Sequence, residues 1–181
     1  MSEKHKYTSQ SIRERGTELL RVRTDFPDFS PLCVPDKISE FYDRVAESAA
    51  SGAVRRLDAE IRSEFYGASF FRRLNCDYKA NVSFFDETFL SVTLDVSVTR
   101  AGKRLFFQRK AQIWLLCGEY ILPPRRYADF LLSPEASKKE KREIAEAAKS
   151  FDGAYLDGDF TVFFRNESGA NDYTEKRIPR K

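Results

Sequence analysis

The chain reads as α+β: an antiparallel β-sheet meander with two helices packed on one face. Three patterns carry that reading. Residues 90–99 alternate without a miss, with Leu90, Val92, Leu94, Val96 and Val98 on one side and Ser91, Thr93, Asp95, Ser97 and Thr99 on the other. That period of two belongs to a half-buried strand. Apolar residues from Ile38 to Phe65 recur at steps of three and four, the period of a helix. A second helical stretch follows Ser133-Pro134, ahead of an alternating Phe160, Val162 and Phe164.

Taken in order, residues 1–16 are polar and carry His5, the one histidine of the chain. They are expected to form a flexible N-terminal segment. Leu19-Leu20-Arg21-Val22-Arg23 predicts a short strand, closed by a loop holding Pro27 and Pro31. A helix is expected from Pro35-Asp36, with Ile38, Phe41, Tyr42, Val45, Ala49, Ala53, Leu57, Ile61 and Phe65 as its apolar stripe. Gly67 is its stop. Steps of four overshoot a turn by ~40°, so the stripe spirals and a bend is expected near Ser51-Gly52. Residues 74–85 predict the next strand, with Cys76, Tyr78, Ala80, Val82 and Phe84 on one face. A loop of odd length, Asp86-Glu87-Thr88, then pairs Phe84 with Leu90 and Val82 with Val92, so that apolar meets apolar.

The central hairpin follows. Arg100-Ala101-Gly102-Lys103 makes a tight turn into a strand over 104–116. With Thr99 opposite Arg104, Val98 faces Leu105, Val96 faces Phe107, Val92 faces Ala111 and Leu90 faces Ile113. Arg109 intrudes on that apolar side and requires a carboxylate or an opening to water. Cys117-Gly118-Glu119 turns the chain into Tyr120-Ile121-Leu122, which Pro123-Pro124 stops. Ser133-Pro134, a cap followed by proline, starts a helix running to about Phe151. Asp157-Gly158 marks a hairpin turn before the strand of Phe160. Residues 166–181 are expected to be a flexible polar tail, leaving 17–165 as a single domain.

Hydrophobic content of 41% with 16 Phe supplies a core, which sets aside wholesale disorder. A net charge of +3 from 31 basic and 28 acidic residues is too balanced to indicate nucleic acid by itself. Cys33, Cys76 and Cys117 are odd in number and far apart, so reduced thiols are expected and no zinc spacing exists. No cofactor or metal is expected. The start of the chain lacks the apolar region of a signal peptide and no run approaches the ~20 apolar residues of a membrane span, so a cytoplasmic location is expected.

The segment 81–122 carries a more particular pattern. It holds Phe89-Leu90-Ser91-Val92-Thr93-Leu94, a turn, and then Gln112-Ile113-Trp114-Leu115-Leu116-Cys117-Gly118-Glu119-Tyr120-Ile121-Leu122-Pro123. This is similar to the strand, glycine turn, Q-x-W-x-L-x-x-G-x-x-L core of the RsiV-like domain. That domain forms the extracellular sensor of a lysozyme-responsive anti-sigma factor and also stands beside the catalytic domain of some peptidoglycan deacetylases. Residues 155–164 resemble its closing strand, and the likeness covers most of 17–165. It implies a domain that binds a protein or cell-wall-related partner and does no chemistry. The family's turn often carries Gly-Ala-His-Gly, where this chain has Arg100-Ala101-Gly102-Lys103.

The expected function is therefore a non-catalytic binding or regulatory module with a protein partner. The candidate surface is the second face of the hairpin, where the register collects Phe89, Phe106 and Trp114 with Gln108, Lys110 and Gln112, an aromatic and basic set of the kind enriched at interfaces. The alternative is a basic nucleic-acid-associated protein, because residues 104–110 interleave bases with Phe106 and Phe107. A hydrolase ranks third. It would have to use carboxylates such as Asp157 and Asp159, which a Gly158 turn explains more simply.

Overall fold

One helix decides the topology. In the computed structural model, which describes residues 4–167 and 172–180, α1 (Asp36–Gly67) is a single 32-residue helix. It joins β2 (Thr17–Pro27) to β3 (Leu74–Phe85), which pair in parallel. A helical crossover returns the chain to the end from which the previous strand set out, so the next strand must run alongside it. The sheet is mixed for this reason and the expected all-antiparallel meander is corrected. Its six strands are hydrogen-bonded in chain order: β1 (His5–Glu14), β2, β3, β4 (Phe89–Arg100), β5 (Lys103–Leu115) and β6 (Tyr120–Ile121). A separate three-stranded sheet holds β7 (Gly153–Asp157), β8 (Phe160–Asn166) and β9 (Tyr173–Pro179).

The chain divides into two compact units where one domain was expected. The first takes the residues up to Ala80 with Asp95–Phe107; the second takes Asn81–Leu94 and the chain from Gln108 onward. In the first, α1 lies against β2 and β1. It buries Ile38, Tyr42, Ala46, Ala50, Ala53 and Ile61. Ala46 and Ala50 stand where the sequence stripe has Val45 and Ala49, a drift of one position. The helix is unbroken through Ser51-Gly52. The Ser51 hydroxyl donates to the Glu47 carbonyl at 2.9 Å, the back-bonding that a polar residue inside a helix uses.

β1 occupies the stretch expected to be a flexible segment. It pairs antiparallel with β2 along its length. Its one buried residue is Ile12, too little for an apolar alternation to show in the sequence. Between Ile12 opposite Leu20 and Arg13 opposite Glu18, Leu19 is an extra residue on β2. That bulge lets Leu19 and Leu20 both be fully buried although they are adjacent.

In the second unit, α3 (Lys138–Ser150) is capped by Ser137, four residues after the expected cap. Ser137 accepts the Glu140 N–H and Glu140 reaches back to the Ser137 N–H, a capping box, while Ser133 lies outside the helix. A single helical turn, α2 (Tyr127–Phe130), precedes it. Ile144 and Ala147 of α3 share a core with Leu115, Leu122, Tyr127, Leu156 and Phe163. The two long helices thus serve separate cores, which corrects the expected pair on one face. β9 lies in the stretch expected to be a tail: it pairs with β8 from Phe160 opposite Pro179 to Asn166 opposite Tyr173, and Ile178 is buried.

The turns agree closely with the sequence. β3 ends at Phe85 and β4 begins at Phe89, leaving the three-residue loop Asp86-Glu87-Thr88, with the Asp86 carboxylate accepting the Thr88 and Phe89 N–H groups. The Ser83 hydroxyl lies 2.9 Å from that of Ser91, as the pairing of Phe84 with Leu90 requires. Ala101 and Gly102, at φ 51° and 80°, form a two-residue turn between Arg100 and Lys103. This is the hairpin geometry that sets Thr99 beside Arg104. A side chain at Gly102 would meet open space, so its requirement is purely one of backbone conformation. Gly102→Val is expected to destabilise the protein by more than ~1 kcal/mol in denaturant unfolding, because a β-branched residue resists positive φ.

Candidate functional site

The register of β1, β2 and β3 builds a patterned surface in the first unit. On the side away from the helix stand two cross-strand rows, Tyr7–Asp25–Lys79 and Ser9–Arg23–Asp77. On the other side, the rows Val22–Cys76 and Leu20–Leu74 are buried. A depression of about 470 Å³ lies along β1–β3, lined by Tyr7, Thr8, Ser9, Arg23, Thr24, Asp25, Asp77, Tyr78 and Lys79.

Its charges are largely answered from within. Arg23 Nε donates to Asp77 Oδ1 at 2.6 Å, and that bond holds the guanidinium pKa above its ordinary value. His5 Nδ1 lies 2.5 Å from Asp25 Oδ1, and its ring stacks near Tyr7 at 6.1 Å between centroids. The Thr8 and Thr24 hydroxyls bond at 2.6 Å. Tyr78 and Cys76 beneath both have raised pKa values, chiefly because burial disfavours their anions. Tyr7, 72% exposed, is the large apolar group at the rim. The groove therefore offers an aromatic face, hydroxyls and alternating donors and acceptors, all fixed by strand pairing. No group of three or more His, Cys, Asp or Glu side chains is placed to hold a metal among the described residues.

Of the residues expected to form a docking face, two are buried. Trp114, 4% exposed, is core, as is Phe89, which packs with Ile113 and Leu115. Gln108 and Gln112 are half-buried. Phe106 in the first unit and Lys110 in the second are exposed. The expectation fails because Ile113, Trp114 and Leu115 are buried in succession. Where both faces of a strand are covered, alternation of residue type no longer marks the wet side. The groove residues had a signal of their own: Arg21, Arg23 and Asp25 alternate with Leu20, Val22 and Thr24, a polar face more regular than that of β5.

Arg109 finds its carboxylate. The side chain is 14% exposed, and Nη1 lies 3.6 Å from Glu175 Oε1. The guanidinium sits 4.0 Å over the Tyr173 ring and 5.7 Å from the Tyr155 ring. The Tyr155 hydroxyl donates to Glu175 at 2.5 Å. Asn166 completes the cluster. Its amide accepts the Arg109 N–H at 2.6 Å and donates to the Arg109 carbonyl at 3.0 Å, as a neighbouring strand would. This constellation ties β9 down.

A mixed sheet with a helical crossover, a small second sheet and an ion-paired groove defines an α+β protein. In fold it is similar to a DUF3298 family protein from Pseudomonas aeruginosa PAO1, at 13% identity over 98% of this chain and 89% of that one, with a TM-score of 0.53. A second DUF3298 family structure, from Bacteroides fragilis NCTC 9343, aligns at 12% identity over 98% and 91% of the two chains, with a TM-score of 0.46. The first likeness is one of fold. No family model and no curated protein matches the sequence. No described helix is long and apolar enough to cross a membrane.

Two measurements follow from these burials. Trp114 is expected to emit at short wavelength and resist acrylamide, and Trp114→Ala to cost ~3–5 kcal/mol of stability, as for a core aromatic. Burial also pushes the Tyr127 hydroxyl up to about 12, and burial with the Glu175 bond pushes Tyr155 up further. A raised folded pKa means stability present below the unfolded value of ~10 is lost as pH rises through the folded value. Unfolding monitored at 295 nm should show stability falling above pH ~10, with part of the eight tyrosines ionising only on unfolding.

Proposed function

We propose that the chain is a non-catalytic binding module of RsiV-like type, and that it recognises a protein or cell-wall-related partner through the β1–β3 groove. The observation that carries this reading is the groove's arrangement: an exposed Tyr7 ring beside hydroxyls and paired charges fixed in two rows. Carboxylates committed to Arg23 and His5 suit recognition better than proton transfer, because a general acid or base needs a proton it can trade. Paired charges at a surface add little affinity but enforce the orientation of what docks there.

The nucleic-acid reading rests on a different place in the first unit. Arg72 and Arg73 line a shallow groove with Asn75, Ala101 and Gly102. Arg72 stacks over Phe70 at 5.3 Å, and Phe70 is 72% exposed. That combination suits a single strand.

The two readings separate in one titration series. With labelled protein, a c-type lysozyme or soluble peptidoglycan fragments should shift the resonances of Tyr7, Ser9 and Lys79. Tyr7→Ala with Arg23→Ala should weaken the effect about tenfold or more. Shifts confined to Arg72, Arg73 and Gly102 on adding a single-stranded oligonucleotide, lost as salt is raised, would replace the first reading with the second.

A further inference from the structure

Among the described residues, the outer edge of β1 is the least protected strand edge. Edges normally carry charges, prolines or short strands, because an open row of N–H and C=O groups recruits another strand. The other described edges follow that rule. β6 has two residues and runs into Pro123-Pro124. β9 carries Glu175, Lys176 and Arg177 in succession. On β7, the Leu156 N–H donates to the Ser91 hydroxyl at 2.9 Å. β1 instead runs for ten residues, and the six from Tyr7 to Ile12 are uncharged and free of proline.

Strand geometry fixes which groups face outward. The Lys4 carbonyl accepts the Asp28 N–H at 2.7 Å, so even-numbered residues of β1 turn their main chain toward β2. Pro27, which has no N–H to give, stands opposite His5. The main-chain groups of Tyr7, Ser9, Ser11 and Arg13 therefore point away from the sheet. The bulge lies on β2, so the alternation of β1 is unbroken.

We propose that two copies of this chain join edge to edge through β1, antiparallel about a two-fold axis at Gln10. Hydrogen-bonded pairs must match odd residues with odd ones. Centred on Gln10, Ser9 meets Ser11 and Tyr7 meets Arg13, bringing a guanidinium to the 72% exposed ring. On the helix side, Lys6 meets Glu14. Lys6 is already paired to Asp43 of α1 at 3.0 Å, and Glu14 to Arg62 of α1. Joining copies would thus link Asp43, Lys6, Glu14 and Arg62 into one row of alternating sign. Centring the axis on Ser9 would instead set His5 against Arg13 and Lys6 against Ile12, forfeiting both matches.

Sedimentation velocity on the full chain tests the idea, with cross-linking to fix the register. Ser11 lies outside the groove, so its result is independent of partner recognition. Ser11→Pro removes an outward N–H that the fold does not use. It should raise the dimer dissociation constant more than about tenfold with an unchanged melting temperature. Gln10→Cys, with Cys33 and Cys117 replaced by serine, should form an intermolecular disulfide, since the residue faces its own copy at a separation of roughly 4.5 Å between Cα atoms. Thr8→Cys in the same background should not. A monomer at millimolar concentration would leave the edge to a strand of another protein and overturn the proposal. So would a dimer indifferent to Ser11→Pro, or one cross-linked at residue 8.

Discussion

The parallel pairing of β2 with β3 is the constraint from which the groove follows. The register is held by the rows Val22–Cys76 and Leu20–Leu74, buried beneath α1, because apolar surface removed from water contributes about 25 cal/mol per Å². The opposite face contributes much less. Arg23 and Asp77 are 55% and 29% exposed, and such surface pairs are worth ~0–1 kcal/mol. The charges of the groove are thus positioned by the core and do not position it. A slip of one residue would exchange the faces and bury Arg23.

Much of this was legible in the sequence, and the losses share a cause. β3, the loop to β4 and the two-residue turn after Arg100 were readable because apolar residues alternate there against polar ones. α1 was readable from its stripe and its bounding Pro35 and Gly67. β1 and β9 were not, since each buries one residue in its length, Ile12 and Ile178. A strand held by main-chain pairing alone leaves no periodic trace. The start of α3 differs from expectation because Ser133-Pro134 has the form of a cap, whereas Ser137 has the reciprocal Glu140 three residues on. Parallel pairing leaves no local pattern because it depends on where a helix delivers the chain.

Arg109 shows what an anomaly in a pattern can tell. A cation on an apolar face must be matched, and the match lies in Glu175 and Tyr173, within the stretch whose own sequence suggested no structure. Removing either partner would leave the other desolvated, and breaking such a pair costs more than forming it contributes. The cluster is thereby a reason for β9 to exist. Trp114 is the opposite case, an aromatic whose place on a polar face suggested recognition and whose burial makes it structural.

The three cysteines have a practical meaning. Cys76 is buried in the row beneath the groove, and burial raises its pKa and slows its chemistry. Cys33 and Cys117 are exposed. One belongs to each compact unit. The sequence therefore already carries one attachment point for a dye in each unit. An environment-sensitive dye carried on either one would report on that unit by itself, in solution and without altering a residue.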